Sequence, residues 1–229
     1  PPSSSGGITL GEALNILEPA PVAEFGSAAR VHLLASAFQR AFIDRNELLG
    51  DADFVSVPAA RLLSKEYGAA LYGTIDAGRA TPTPALVARG REGMETTHYS
   101  VVDDAGNAVS TTTTINSLYG SGVFVPGAGF FLNNTMDDFA TQPGVQNQFG
   151  LVQGEANAIA PRKRGLSAMT PTIVLDPRGE VYMVLGARGG PRIITATAQV
   201  ILNVIDHRMS LSDAMHAPRI HHQALPDLL

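Results

Sequence analysis

The feature that most constrains this chain is a change of period at Thr96. Upstream, apolar residues recur every three to four positions; downstream they alternate, and β-branched residues take over. One kind of element cannot serve both periods, so helices must pack against strands. Val31, Leu34, Phe38, Ala41, Phe42 and Arg45 trace a single helical stripe that ends near Gly50. Residues 8 to about 75 read as helical, with Pro58 to Tyr67 a shorter helix that tolerates Pro58 in its first turn. The segment Thr74 to Glu95 carries Gly78, Pro82, Pro84, Gly90 and Gly93 and reads as a loop or linker.

From Thr96 onward two hairpins are expected. Thr97 to Val102 and Asn107 to Ile115 flank Asp103-Asp104-Ala105-Gly106; Thr172 to Leu175 and Val181 to Leu185 flank Asp176-Pro177-Arg178-Gly179. The loop of the first hairpin decides which residues face each other. A three-residue loop with Gly106 left-handed pairs Asp103 with Asn107 and sets Thr96 opposite Thr114. A two-residue loop would instead pair Thr97 with Thr114. Ile193 to Asp206 reads as a helix, and Ser212 as the cap of another that runs to about His216. Helices bracketing hairpins, without parallel crossovers, give an α+β layered fold.

Composition narrows the chemistry. Over 229 residues the net charge is −5, which leaves no polybasic surface for nucleic acid. Without Cys, disulfides, thiolate catalysis and Cys-based zinc sites are excluded. No apolar run approaches the roughly 20 residues of a membrane-spanning helix. Pro1 to Gly7 shows neither an initiator Met nor a signal-peptide pattern, which reads as a chain whose upstream part is missing.

A hydroxyl acts as a nucleophile only when something takes its proton. No nucleophile-elbow motif is present. His98 shares a strand face with Thr96 and is one candidate base, although a strand His is more often simply packed. The alternative is that Thr96 becomes a new N-terminus whose own α-amine serves as base, next to a Gly/Pro-rich segment that makes chain scission easy. Thr114, opposite Thr96 in the three-residue register, is a candidate orienting partner. Asn133 to Phe139 forms a polar cluster whose Asp137-Asp138 pair either binds an ammonium group or a metal, or is a solvated turn. His221 and His222 are adjacent and point apart in an extended chain, which argues against a metal there. Gly189-Gly190 precedes the helix beginning near Ile193, where free backbone N–H groups can bind an anion or oxyanion.

These residues also carry a family resemblance. Thr96-Thr97-His98-Tyr99-Ser100-Val101-Val102-Asp103 resembles the start of the small subunit of gamma-glutamyltranspeptidases. The likeness continues through Asn133 to Phe139, Leu166 to Ile173, Gly189 to Ile194, Ala217 to Gln223, and at the front Pro2 to Gly7. It implies that residues 1–95 are the end of the large subunit and 96–229 most of the small one, together one domain incomplete at both ends. It implies a four-layer αββα sandwich of the N-terminal-nucleophile hydrolase type and self-cleavage between Glu95 and Thr96. Carried over by position, Thr96 attacks the gamma-glutamyl amide and Thr114 orients its hydroxyl. Asn116, Thr135 and Asp138 lie where the family holds the donor's α-amino end. Ser167 binds its α-carboxylate, and Gly189 and Gly190 form the oxyanion hole. The implied substrates are a gamma-glutamyl donor such as glutathione, with water, an amino acid or a dipeptide as acceptor. The implied partners are the two subunits of one precursor, no cofactor or metal is called for, and the implied location is periplasmic or secreted.

Three positions depart from the family pattern. Thr135 stands where Gln or Glu is usual, Ala168 where a second Ser is usual, and Phe149 where bacterial members often have Tyr, in a Gln142–Arg164 segment that resembles the lid loop. A lost charge-assisted hydrogen bond is worth roughly 1.5–3 kcal/mol, so donor recognition is expected to be altered while the catalytic core is intact. An acylase of the cephalosporin type, with a glutaryl donor lacking the α-amino group, is the nearest rival on the same fold. A non-catalytic, unprocessed relative that only binds ligands is the other.

Overall fold

The computed structural model describes residues 3–83 and 95–229. Helix α1 (Gly6–Leu17) packs on α2 (Ala28–Leu48), whose start is capped by Ser27 Oγ accepting from the Arg30 N–H at 3.2 Å. The expected helix over 58–67 is in fact two, α3 (Ala59–Leu62) and α4 (Lys65–Tyr72). Ser64 is the reason: its hydroxyl accepts from the Tyr67 N–H at 3.2 Å and starts a new helix there. The loop expected over 74–95 lies partly outside the described residues; Thr74 to Thr83 is irregular.

Strands β1 (Thr97–Val102) and β2 (Ala108–Thr113) pair antiparallel, with Thr97 opposite Thr113 and Val102 opposite Ala108. The Asp103 N–H donates to the Asn107 carbonyl at 3.0 Å and Gly106 has φ +81°, so the three-residue loop sets the register. Only glycine takes that conformation cheaply. Short strands β3 (Phe124–Val125) and β4 (Phe130–Phe131) form a ribbon, and β5 (Thr172–Leu175) pairs with β6 (Val181–Leu185). The two long hairpins stack, joined by Ser100 Oγ donating to the Val184 carbonyl at 3.1 Å and Ser110 Oγ to the Leu185 carbonyl at 3.0 Å.

Helix α5 spans Arg192–Ile205, and α6 Leu211–His216 is capped by Ser210 rather than Ser212, its hydroxyl accepting from the Asp213 N–H at 3.1 Å. The core lies between helices and the second hairpin. Leu10, Ala13 and Ile16 of α1 meet Phe38 and Phe42 of α2, Ile194 and Ala198 of α5, and Met183 and Leu185 of β6. Each large side chain buried there stabilises the fold by about 1.5–3 kcal/mol. The architecture is therefore mixed helix and sheet, with Thr96 immediately before β1 of the first hairpin. Among the described residues no helix is long and apolar enough to cross a membrane.

Candidate active site

Register brings the first two candidates together. Thr96 Oγ1 donates to Thr114 Oγ1 at 3.2 Å, and the same Thr114 oxygen accepts from the Asn116 N–H at 2.9 Å. The Asn116 turn is left-handed, φ +77°, which swings its side chain off the strand face and toward Asp138. Thr96 itself has φ +136°, costly for a β-branched residue.

These groups open onto a small cleft of about 30 Å³. Thr96, Thr114, Asn116, Asp138, Ser167 and Gly190 all line it, with Arg45, Phe149 and Ala168. Ser167 reaches it because its chain segment is pinned to the N-terminal one. The Ser5 N–H and hydroxyl both donate to the Ser167 carbonyl, at 2.8 and 2.7 Å, and the Ser167 N–H donates to the Ser3 carbonyl at 3.1 Å. Gly190, φ +58°, lies just before α5, and a side chain there would press within 3.0 Å of the Phe149 ring. Gly189 lies beside it with φ +114° but does not itself line the cleft. Neither glycine N–H is donated to an acceptor among the described residues, leaving both able to meet an anion.

Two further candidates lie away from the cleft. His98 does not face the Thr96 hydroxyl; its Nδ1 pairs with Thr112 Oγ1 at 2.8 Å and its Nε2 with Ser100 Oγ at 3.2 Å, inside the hairpin stack. Thr135 does not line the cleft either. In the 3₁₀ turn Thr135–Asp138 its hydroxyl turns back to Asn133 Oδ1 at 2.7 Å, satisfying a local donor instead of a ligand.

The electrostatics centre on Asp138. Burial pushes its carboxyl up to about 7, with Asp137 adding to the rise, while Arg45 and a hydrogen bond from Asn116 oppose it. A half-ionised carboxyl in a small cleft is suited to a cationic ligand group. Arg45 was visible in the sequence only as a charge in line with an apolar stripe. It is 1% exposed, and burial lowers its guanidinium to about 10, so it stays charged at neutral pH. Phe149 is tied down as well: its carbonyl accepts from Gln223 Nε2 at 2.9 Å, and Gln223 Oε1 pairs with His221 Nε2 at 2.8 Å. Burial holds His221 down to about 4, so it serves this link as a neutral ring. Among the described residues no cluster of His, Cys, Asp or Glu is arranged to hold a metal.

Comparison with known proteins places this geometry. The chain is 48% identical over 231 residues to a glutathione hydrolase proenzyme of Pseudomonas sp. (strain A14), covering 99% of this chain and 40% of that protein's length. It resembles an acivicin-inhibited gamma-glutamyltranspeptidase structure with a TM-score of 0.56 and 59% identity, over 57% of this chain and 69% of that one. A cephalosporin acylase from Bacillus halodurans superposes with a TM-score of 0.78 at 26% identity, over 96% of this chain and 37% of that one. The family model for gamma-glutamyltranspeptidase matches residues 1–229, and the chain belongs to the gamma-glutamyltranspeptidase family.

Proposed function

We propose that this chain is part of a self-processing gamma-glutamyl hydrolase/transpeptidase whose nucleophile is Thr96. The observation that carries the reading is the Thr96 Oγ1–Thr114 Oγ1 contact of 3.2 Å at the wall of a cleft shared with Asp138, Ser167 and Gly190.

In the precursor, Thr96 Oγ1 attacks the Glu95 carbonyl carbon. The Glu95–Thr96 amide breaks as the proton moves to the Thr96 nitrogen, and water hydrolyses the resulting ester. The positive φ of Thr96 supports this step, because scission relieves the backbone constraint there. The freed α-amine, with an ordinary pKa near 7.7–8.0, then takes the Thr96 hydroxyl proton. Thr114 fixes the direction of that hydroxyl. The donor's ammonium group sits at Asp138 and Asn116, its α-carboxylate at Ser167, and the oxyanion at the Gly189 and Gly190 N–H groups. The donor amide breaks as the Thr96 α-ammonium passes that proton to the leaving amine. Water or an amine acceptor then takes the acyl group from Thr96.

The same reading includes a four-layer αββα sandwich. Supporting it are the two stacked hairpins with helices against the second. The outer face of the first carries Tyr99, Val101 and Val109, each about half exposed, where another helical layer would pack. Export to the periplasm or medium and assembly from the two halves of one precursor belong to this reading too.

Mass spectrometry of the intact protein with N-terminal sequencing tests it: a fragment beginning Thr-Thr-His-Tyr is expected. A chain that stays uncut and turns over no gamma-glutamyl anilide points to a non-catalytic relative. A second reading, a glutaryl acylase, is favoured by Thr135, whose hydroxyl turns back to Asn133 Oδ1 at 2.7 Å and supplies no contact to a donor ammonium group. Faster turnover of a glutaryl anilide than of the gamma-glutamyl one would select it.

A further inference from the structure

Among the described residues Arg45 is the one buried cation of the cleft, and the proposed chemistry assigns it no part. Its guanidinium makes four hydrogen bonds, and they run to different segments. Nε donates to Ser5 Oγ at 2.9 Å, and Nη2 to the Leu166 carbonyl at 3.3 Å. Nη1 donates to Asn46 Oδ1 at 2.9 Å and Gln153 Oε1 at 3.4 Å. Three of the four acceptors lead to a recognition group. Ser5 and Leu166 both adjoin Ser167, since Ser5 holds the Ser167 carbonyl. Gln153 Nε2 donates to the Asp138 carbonyl at 3.3 Å, and Asn157 Nδ2, itself bonded to Gln153 Oε1 at 2.8 Å, donates to it at 2.7 Å.

We propose that Arg45 is a positioning residue for the donor, its planar fork fixing the spacing between the Ser167 segment and the Asp138 turn while its charge faces the Asp138 carboxylate. This rests on the donor-site reading above. A fork with donors in fixed directions can hold two segments in register, which a single ammonium cannot do. The charged groups acting on Asp138 are Arg45 from α2 and Asp137 from its own turn, with Asn116 supplying a neutral hydrogen bond. Arg45 in turn senses Asp138. Losing the cation therefore leaves Asp138 with burial and Asp137 pushing toward the neutral acid.

The test uses the full-length protein carrying Arg45→Lys or Arg45→Met, with gamma-glutamyl and glutaryl p-nitroanilides assayed from pH 5 to 9. The glutaryl donor keeps the carboxylate and lacks only the ammonium group, so it sees Ser167 but not the charge of Asp138. Arg45→Lys should raise KM for both donors about tenfold, as expected for roughly one lost hydrogen bond to a charged group, with kcat held. It should leave the acid limb of the gamma-glutamyl/glutaryl ratio in place. Arg45→Met should shift that limb upward by about one pH unit or more, lowering the ratio at pH 7 about tenfold. Should Arg45→Met fail to fold or to process, Arg45→Lys still decides through its KM-against-kcat split. Equal losses of kcat for both donors in Arg45→Lys, or an unmoved ratio limb in a folded Arg45→Met, would overturn the proposal. A wild-type protein inactive on both anilides would instead overturn the parent reading, and this one with it.

Discussion

Replacing Asp138 by Asn isolates what this carboxyl does, because its ionisation should be visible in one substrate and silent in another. Burial raises its pKa to about 7, so the cleft carries a half-ionised carboxyl near neutrality. A gamma-glutamyl donor brings an ammonium group that pairs only with the ionised form. With kcat/KM reporting the free enzyme, the fraction of competent sites falls about tenfold per pH unit below pH 7. The proposed Thr96 α-amine would also titrate, but it would act on every donor alike. The ratio of kcat/KM for gamma-glutamyl over glutaryl anilide cancels it. That ratio should rise steeply from pH 5, bend near pH 7, and stay level to pH 8. In Asp138→Asn it should be flat and, at pH 8, lower by about 10- to 150-fold, the span of one charge-assisted hydrogen bond at roughly 1.5–3 kcal/mol. A wild-type ratio that is flat from pH 5 to 8, or an Asp138→Asn loss equal for both donors, would refute the argument.

Three further outcomes follow from neighbouring geometry. Thr114→Val keeps the shape but removes the oxygen that meets Thr96 Oγ1 and the buried Asn116 N–H. Scission rate and kcat should both fall about 10- to 100-fold, since an orphaned buried donor costs about 1–3 kcal/mol; a time course followed by gel and by anilide release checks this. Ala168→Ser adds a hydroxyl to the cleft wall and should lower the donor KM up to about tenfold at unchanged kcat. An unchanged KM would place the donor carboxylate elsewhere. Glu12, buried beside Asp44 in the α1–α2 interface, is raised from 4.5 to about 10 by burial and then by Asp44. The fold therefore favours the protonated acid, a stabilisation fully present below pH 4.5 and lost as pH rises toward about 10. Urea midpoints should drop between pH 6 and 9 in the wild type and drop less in Glu12→Gln; parallel slopes would count against it.

Much of the scaffold was legible because its causes are local. The stripe from Leu34 to Phe42 predicts a buried helix face wherever that helix docks, and these residues are buried in the core. Gly106 with Asp103 closes the three-residue loop, which sets Thr97 against Thr113 and leaves Thr96 within 3.2 Å of Thr114 through their hydroxyls. Errors at this level were also local: Ser64 and Ser210 are caps because their hydroxyls reach an N–H three residues on, and neighbouring serines compete for that role.

The polar details of the cleft were decided by packing. Whether His98 reaches Thr96 depends on the second hairpin stacking on the first, which draws the ring to Thr112 and Ser100. Whether Thr135 faces a ligand depends on the turn that hands its hydroxyl to Asn133. Asp138 acquires its raised pKa from desolvation, a property of the assembled neighbourhood rather than of the residue. Arg45 finds its partner at Leu166, 121 residues along the chain. Periodicity and turn chemistry are written in adjacent residues, and so the chain alone indicated its long helices and its two long hairpins and narrowed the pairing at Thr96 to two registers. Burial and long-range hydrogen bonds exist only once α1, α2 and the Ser167 segment have met, and the tertiary structure alone supplied the charge and spacing of the cleft.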